Sequence, residues 1–219
     1  MKIARNSLVL TAGLLLTFTT FGYFFWYKPK FKTPQNKNAF AFTPNETPGK
    51  AEALLRLNKK ALQAKDYVAS QGFDVNHCFL IDMHISSGKN RFFVYNLNTD
   101  SVEIAGLVTH GSGLTNTDTP VFSNTPDSYC TSLGKYKIGK SYLGKFGLAY
   151  KLYGLDNSNS KAFARFVVLH AHECVPNEEV SPLPICESWG CPTVAPAFLK
   201  QLQSYIDVSA KPILLWIYF

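Results

Sequence analysis

Three patterns of hydrophobic and polar positions succeed one another along the chain. After Lys2 and Arg5, residues 7–27 form an uncharged, largely apolar run of 21 residues that closes on aromatics between Phe21 and Tyr27. A run of that length can cross a bilayer, and its aromatic end suits a membrane interface. It is expected to be an uncleaved transmembrane anchor, with residues 1–6 as a cytoplasmic tip. A cleaved signal peptide is the alternative, which would carry a shorter apolar core and a small-residue cleavage site. Residues 28–47 are rich in Lys, Asn, Pro and Thr without apolar periodicity, which describes a flexible linker. Thr47 and Pro48 then supply a capping hydroxyl and a Pro for the first helical position. Apolar pairs follow at Leu54 and Leu55, Ala61 and Leu62, Val68 and Ala69. This spacing predicts one amphipathic helix over roughly 48–70, in a segment 48–72 packed on the domain that follows.

Beyond Gly72 the period shortens. Extended apolar segments at 78–82, 91–95 and 102–108 are separated by Ser-Ser-Gly-Lys-Asn and Asn-Thr-Asp turns, and more follow at 135–138, 148–153, 166–170 and 213–219. A second helix is expected over about 195–206. Strands outweigh helices, so residues 73–219 are predicted to form a mainly β domain, a sandwich of mixed sheets with peripheral helices. With 46% hydrophobic and 17% charged residues the chain has the composition of a globular protein, which excludes a disordered one. The net charge of +7 is scattered over lysines, and no basic helix, zinc pattern or aromatic RNA motif accompanies it, so a nucleic-acid partner is not expected.

The densest chemistry lies between Arg165 and Val194. Phe166 to Leu169 is a continuous apolar run, the pattern of a buried strand, and it ends at His170. On such a strand Phe166, Val168, His170 and His172 share a face, the two imidazoles roughly 7 Å apart. Some twenty residues on, Gly190 and Cys191 stand between Trp189 and Pro192, a turn able to present a thiol. A His within hydrogen-bond reach makes a Cys a nucleophile. Alone, such a pair is more commonly a buried small hydrophobe and a satisfied core imidazole, and it gains meaning only with a local signature. A metal reading of His170, His172, Cys174, Cys186 and Cys191 matches no zinc spacing, and no metal or other cofactor is expected.

The signature is Ser188-Trp189-Gly190-Cys191-Pro192. It resembles the murein L,D-transpeptidase catalytic domain family, in a variant with S-x-G-C-P in place of the commoner S-H-G-C. Further blocks fall in the family's order: Val108-Thr-His-Gly-Ser-Gly113, Phe122-Ser-Asn124, Ser132-Leu-Gly134, Tyr142-Leu-Gly-Lys-Phe-Gly147 and Tyr153-Gly-Leu155. The resemblance covers residues 77–219 and implies an L,D-transpeptidase-like β domain. It further implies Cys191 as nucleophile, His170 as base, and backbone N–H groups around Trp189, Gly190 and Cys191 as oxyanion donors, with Ser188 shaping the turn. The substrate would be the peptidoglycan stem tetrapeptide, acylated on Cys191 as a thioester with loss of D-alanine and passed to an amine, or to water in a carboxypeptidase. Carbapenems acylate this family's cysteine. The catalytic domain would lie outside the cytoplasmic membrane, in the periplasm. The long connection 109–128 would run near the cleft, making His110, Gly111, Ser123 and Asn124 candidates for substrate contact, where ordinary turn chemistry is the alternative.

Two departures from the family stand out. His170 is followed by Ala171 rather than Gly, and a Cys- and Pro-containing insert precedes Cys191. Trp189 replaces the second histidine, and His172 is a secondary candidate for the base. Five cysteines in an exported protein leave one unpaired, which is expected to be Cys191. A Cys174–Cys186 bridge would pin the insert, and Cys78 with Cys130 would complete the set, although four cysteines allow three connectivities. A thiol acyl hydrolase of other murein peptides, and an inactive disulfide-stapled wall-binding module, are the competing functional readings.

Overall fold

The structure, a computed structural model, describes residues 48–114 and 119–219. The expected tip, anchor and linker, residues 1–47, lie outside the described residues. Among the described residues no helix is long and apolar enough to cross a membrane.

Helix α1 (Pro48–Gln71) opens on the expected Pro. Its buried face is Leu57, Ala61, Ala64 and Val68, a 4-3-4 spacing that follows the helical period, whereas Leu55 and Leu62 point to solvent at 71% and 62% exposure. The doublets Ala61–Leu62 and Val68–Ala69 therefore place one member inside and one outside, while Leu54 is half-buried beside exposed Leu55. Strands β1 (His77–Asp82), β2 (Phe92–Asn96) and β3 (Ser101–Gly106) form the predicted meander. Then come β4 (Gly134–Gly144), β5 (Gly147–Gly154), β6 (Val168–Ala171), β7 (Thr193–Val194), helix α2 (Pro196–Val208) and β8 (Leu214–Tyr218).

Where a sandwich of sheets was expected, the strands hydrogen-bond into one mixed sheet in the order β3-β2-β1-β8-β4-β5-β6-β7. Among the described strands only β1 with β8 and β6 with β7 pair in parallel. The sheet curls until its two ends meet, because Val108, just past β3, bridges Val194 of β7 and Thr109 donates its N–H to the Thr193 carbonyl at 2.9 Å. Register irregularities in β4 between Ile138 and Ser141, and between Val94 and Tyr95 of β2, are where extra twist enters. The concave side encloses Phe79, Phe92, Tyr136, Tyr150, Leu169 and Val194 together with Phe198 and Leu202 of α2. The convex side of β1, β2 and β8 packs Cys78, Leu80, Phe93 and Leu214 under α1. Being covered on both faces, β1 has the unbroken apolar character that its sequence shows.

Candidate active site

Strand β6 begins at Val168, two residues later than the apolar run suggested. Phe166 is not on the shared strand face: its φ is +57° and its side chain is 84% exposed. The reason is the turn of residues 161–166, in which the Val167 N–H bonds the Ala162 carbonyl at 3.0 Å and directs the chain into β6. That turn leaves the Phe166 carbonyl facing the Cys191 thiol, which donates to it at 3.8 Å, while the Val168 N–H points at the sulfur from 3.5 Å.

The turn that carries Cys191 is held by hydroxyls. Ser188 Oγ lies 2.7 Å from the Cys191 carbonyl and 3.2 Å from that of His110, and accepts the Gly190 N–H at 3.1 Å. Thr109 Oγ1 donates to the Cys191 carbonyl at 3.2 Å and accepts the Thr193 N–H at 3.1 Å. Gly190 has φ +105°, and a Cβ there would stand 2.7 Å from the Cys130 carbonyl, so only glycine fits. Trp189 is 79% exposed, with its indole edge-to-face on Tyr129 at 5.6 Å.

His170 pairs in register with Thr193 across β6 and β7. Its Nδ1 is 3.0 Å from the Ala171 carbonyl, which can only accept; the proton is therefore assigned to Nδ1 and the basic lone pair to Nε2. Nε2 meets the Thr193 hydroxyl at 3.0 Å. Among the described residues no hydrogen bond joins thiol and imidazole. Apo sites often hold such pairs apart. Phe146, at the tip of the β4–β5 hairpin, stacks on His170 at 5.2 Å and meets His172 edge-on at 5.5 Å. His172 itself is exposed beyond the end of β6 and accepts the Cys174 N–H on Nδ1 at 3.1 Å.

Burial raises the Cys191 thiol above its ordinary pKa, opposed by the Val168 N–H and the Arg165 guanidinium. Burial lowers His170, against the Ala171 carbonyl that favours its cation, while His172 reinforces the lowering. Both groups are thus neutral at rest near neutral pH.

The model of the family described as the L,D-transpeptidase catalytic domain matches residues 50–218. The chain belongs to that family. No curated protein matches it in sequence. Solved structures similar to this L,D-transpeptidase domain include an L,D-transpeptidase from Mycobacterium smegmatis, at 11% identity and TM-score 0.38, covering 66% of this chain and 59% of that one. Another, from Xylanimonas cellulosilytica, is 14% identical with TM-score 0.39, covering 65% and 60%. The helical cell shape determining protein from Campylobacter jejuni, as a K307A mutant, is 10% identical with TM-score 0.44, covering 73% and 55%. The chain spans about half to two thirds of the length of these solved chains, 49% to 65%.

Within this L,D-transpeptidase domain the loop candidates are tied down rather than splayed open. His110 is buried, its Nδ1 3.0 Å from Nη2 of Arg91 and its Nε2 3.5 Å from Glu187. Burial and the Arg91 charge hold its pKa down at about 4, so it is neutral and accepts from Arg91. Gly111 bridges Ser188, and its N–H bonds Thr131 Oγ1 at 2.9 Å. The Ser123 carbonyl accepts from Arg165 Nη1 at 2.9 Å, and Asn124 reaches the Asn157 carbonyl and Ser160 Oγ at 3.1 Å each.

The Cys174–Cys186 bridge is present, and Cys78, Cys130 and Cys191 are free. The expected Cys78–Cys130 partner bond is absent because the two lie apart in the fold. Cys78 packs under α1 on the convex side, while Cys130 sits where its carbonyl meets Gly190. Parity therefore did not single out Cys191; exposure does, since Cys78 and Cys130 are 0% and 4% exposed.

Arg165, Thr193 and Phe146 form the immediate surroundings of thiol and base, yet the sequence reading gave none of them a role. Arg165 binds Ser132 Oγ and, at 2.8 Å, the Cys130 carbonyl. Its charge lies within a segment already singled out for chemistry, and a cation three positions before a buried strand was the available signal.

Proposed function

We propose that the protein is a peptidoglycan L,D-transpeptidase in which Cys191 is the nucleophile and His170 the base. The observation that carries this reading is the tautomer of His170: the Ala171 carbonyl holds the proton on Nδ1 and leaves Nε2 basic, on the strand against which the Cys191 sulfur is seated. Since thiol and ring are both neutral at rest, the proton leaves sulfur as substrate arrives rather than beforehand. Sulfur attacks the carbonyl of the L-centre that precedes a terminal D-alanine. The S–C bond forms, His170 takes the thiol proton, and that proton passes to the amine of D-alanine as the C–N bond breaks. The Cys191 N–H is the oxyanion donor of choice, because the Gly190 N–H is engaged by Ser188; such a donor contributes roughly 3 kcal/mol. An amine then resolves the thioester to give a cross-link, or water does so with the outcome of a carboxypeptidase. Such an enzyme belongs in the cell envelope.

The test is to incubate the full chain with purified stem tetrapeptide and follow products and protein by mass spectrometry. Release of D-alanine and a peptidyl adduct on Cys191 are expected. Peptidoglycan binding without turnover would place the chain with inactive wall-binding modules instead. Cleavage of a D-Ala-D-Ala bond in a pentapeptide would also overturn the reading.

A further inference from the structure

The guanidinium of Arg165 is committed to one neighbour, the loop of residues 123–132. Nη1 donates to the Ser123 carbonyl at 2.9 Å and to Ser132 Oγ, while Nη2 donates to the Cys130 carbonyl at 2.8 Å and to Ser128 Oγ at 3.3 Å. These acceptors are two carbonyls and two hydroxyls, all neutral, and among the described residues no carboxylate pairs with Arg165. A guanidinium stays protonated at any working pH, so the fold maintains a positive charge here that no anion offsets. Its location gives that charge a use. Nη2 lies 3.5 Å from the Cβ position of Gly190, the residue before Cys191, and the Cys130 carbonyl that it binds meets the same position. The main chain just past Arg165 also supplies both backbone groups that face the sulfur, the Phe166 carbonyl at 3.8 Å and the Val168 N–H at 3.5 Å. Arg165 therefore reaches the surroundings of the thiol twice, through its backbone and through its charge. The other titratable groups near the thiol, Tyr136 on β4 and His170 on β6, are neutral: burial pushes the Tyr136 hydroxyl up and the imidazole down.

We propose that Arg165 is a positioning residue whose fixed charge stabilises the Cys191 sulfur as an anion during acyl transfer. The proposal rests on the transpeptidase reading above. Sulfur is anionic twice in that reaction: as its proton passes to His170 Nε2 before the S–C bond forms, and as the C–S bond breaks with the electron pair going to sulfur. The imidazole is a cation only while it holds that proton, whereas the guanidinium is charged throughout. Its four hydrogen bonds keep it from swinging into solvent, where its field would be screened. In keeping with this placement, the guanidinium opposes the effect of burial on the thiol.

The experiment compares Arg165→Lys with Arg165→Gln in the full chain. Neither side chain can repeat all four hydrogen bonds, and of the two only Lys keeps the charge. Alkylation of Cys191 by iodoacetamide, followed by peptide mapping across a range of pH, reports the pKa of the thiol without any peptide substrate. We expect Arg165→Gln to raise that pKa enough to slow alkylation near neutral pH about tenfold, and Arg165→Lys to recover most of the loss. Lys161→Met, which removes an exposed cation from the same turn, should leave the profile unchanged. Superimposable profiles for parent and Arg165→Gln overturn the proposal. An equal fall in rate for both Arg165 variants with no change in pKa also overturns it, leaving Arg165 a purely structural tie. Should the variants fail to fold, the parent decides: the ratio of alkylation by iodoacetate to that by iodoacetamide should rise several-fold from urea-unfolded to native protein, and a ratio unchanged by folding overturns the proposal. If the profile moves as expected but the parent releases no D-alanine from tetrapeptide, the transpeptidase reading fails while the action of Arg165 on the thiol stands. D-alanine release with an unmoved profile fails the Arg165 assignment alone.

Discussion

Burial acts in opposite senses on the two residues of the proposed mechanism, raising the Cys191 thiol and lowering the His170 ring. A base whose pKa is lowered is already deprotonated at neutral pH, so the acid limb of kcat/KM should fall below the ordinary histidine value of about 6.5. A limb above that value would mean the working base is another group. Cys191→Ala should abolish turnover, and His170→Gln should lower it by roughly 10²- to 10⁴-fold, because nucleophile and base act as a unit. His172→Gln should cost far less in D-alanine release, its ring lying beyond the strand end with Phe146 touching both imidazoles. The reverse ranking of the two histidine variants would move the base assignment to His172. At this scale the shared turn of Ser188 and Cys191 was legible because a local motif carries both. The surroundings of Arg91, His110 and Glu187 were not, since they come together from three separate segments.

That trio gives a second prediction. In the unfolded chain His110 binds a proton near pH 6.5, whereas in the fold it does so only near pH 4. As pH falls through this window the unfolded state gains protons first, so stability is lost between about 6.5 and 4, by up to ~3 kcal/mol. Urea unfolding of His110→Gln should show a shallower acid decline than the parent over that window. An equal decline in both would assign the effect to other groups, of which His170 is one with the same sense.

Secondary elements were the most readable level. Among the described residues both helices and seven strands follow from periodicity, to within a few residues at most ends. The missed strand, β7, has two residues, too few to establish any period, and it exists because Val194 bridges Val108 and Thr193 pairs with His170. Phe166 was misplaced for a related reason: an apolar run does not reveal that its first member turns outward at positive φ. The Cys191 turn is open to disruption by a single change. Gly190→Ala would place a methyl 2.7 Å from the Cys130 carbonyl and force a residue with Cβ to φ +105°. We expect a loss of ~1–3 kcal/mol in stability and a larger fractional loss of D-alanine release. Parent-like melting and turnover in this variant would show that the turn relaxes at little cost.

For the molecule as a whole, the sequence indicated a β domain with outer helices but not how its sheet closes. Alternating residues record which side of a strand is inward, and that record is the same for two stacked sheets as for one that curls round. The apolar run at residues 7–27 suggests that the domain is tethered. The full chain should therefore stay with membranes through high salt and carbonate, with Cys191 facing outward. A freely soluble mature form beginning near residue 28 would refute the anchor.

The closure at Val108 and Val194 also joins distant parts of the chain at the Cys191 turn. The turn bearing Cys191 is tied by its own Ser188 and also by Thr109 and the backbone of His110 and Ser112, some eighty positions earlier, and these latter bonds form only when the two ends of the sheet have met. An unfolded chain therefore carries an ordinary, unassisted thiol, and the surroundings of Cys191 are complete only once these long-range contacts have formed. A covalent inhibitor of the site would accordingly count finished molecules alone, and could serve as a clock for maturation.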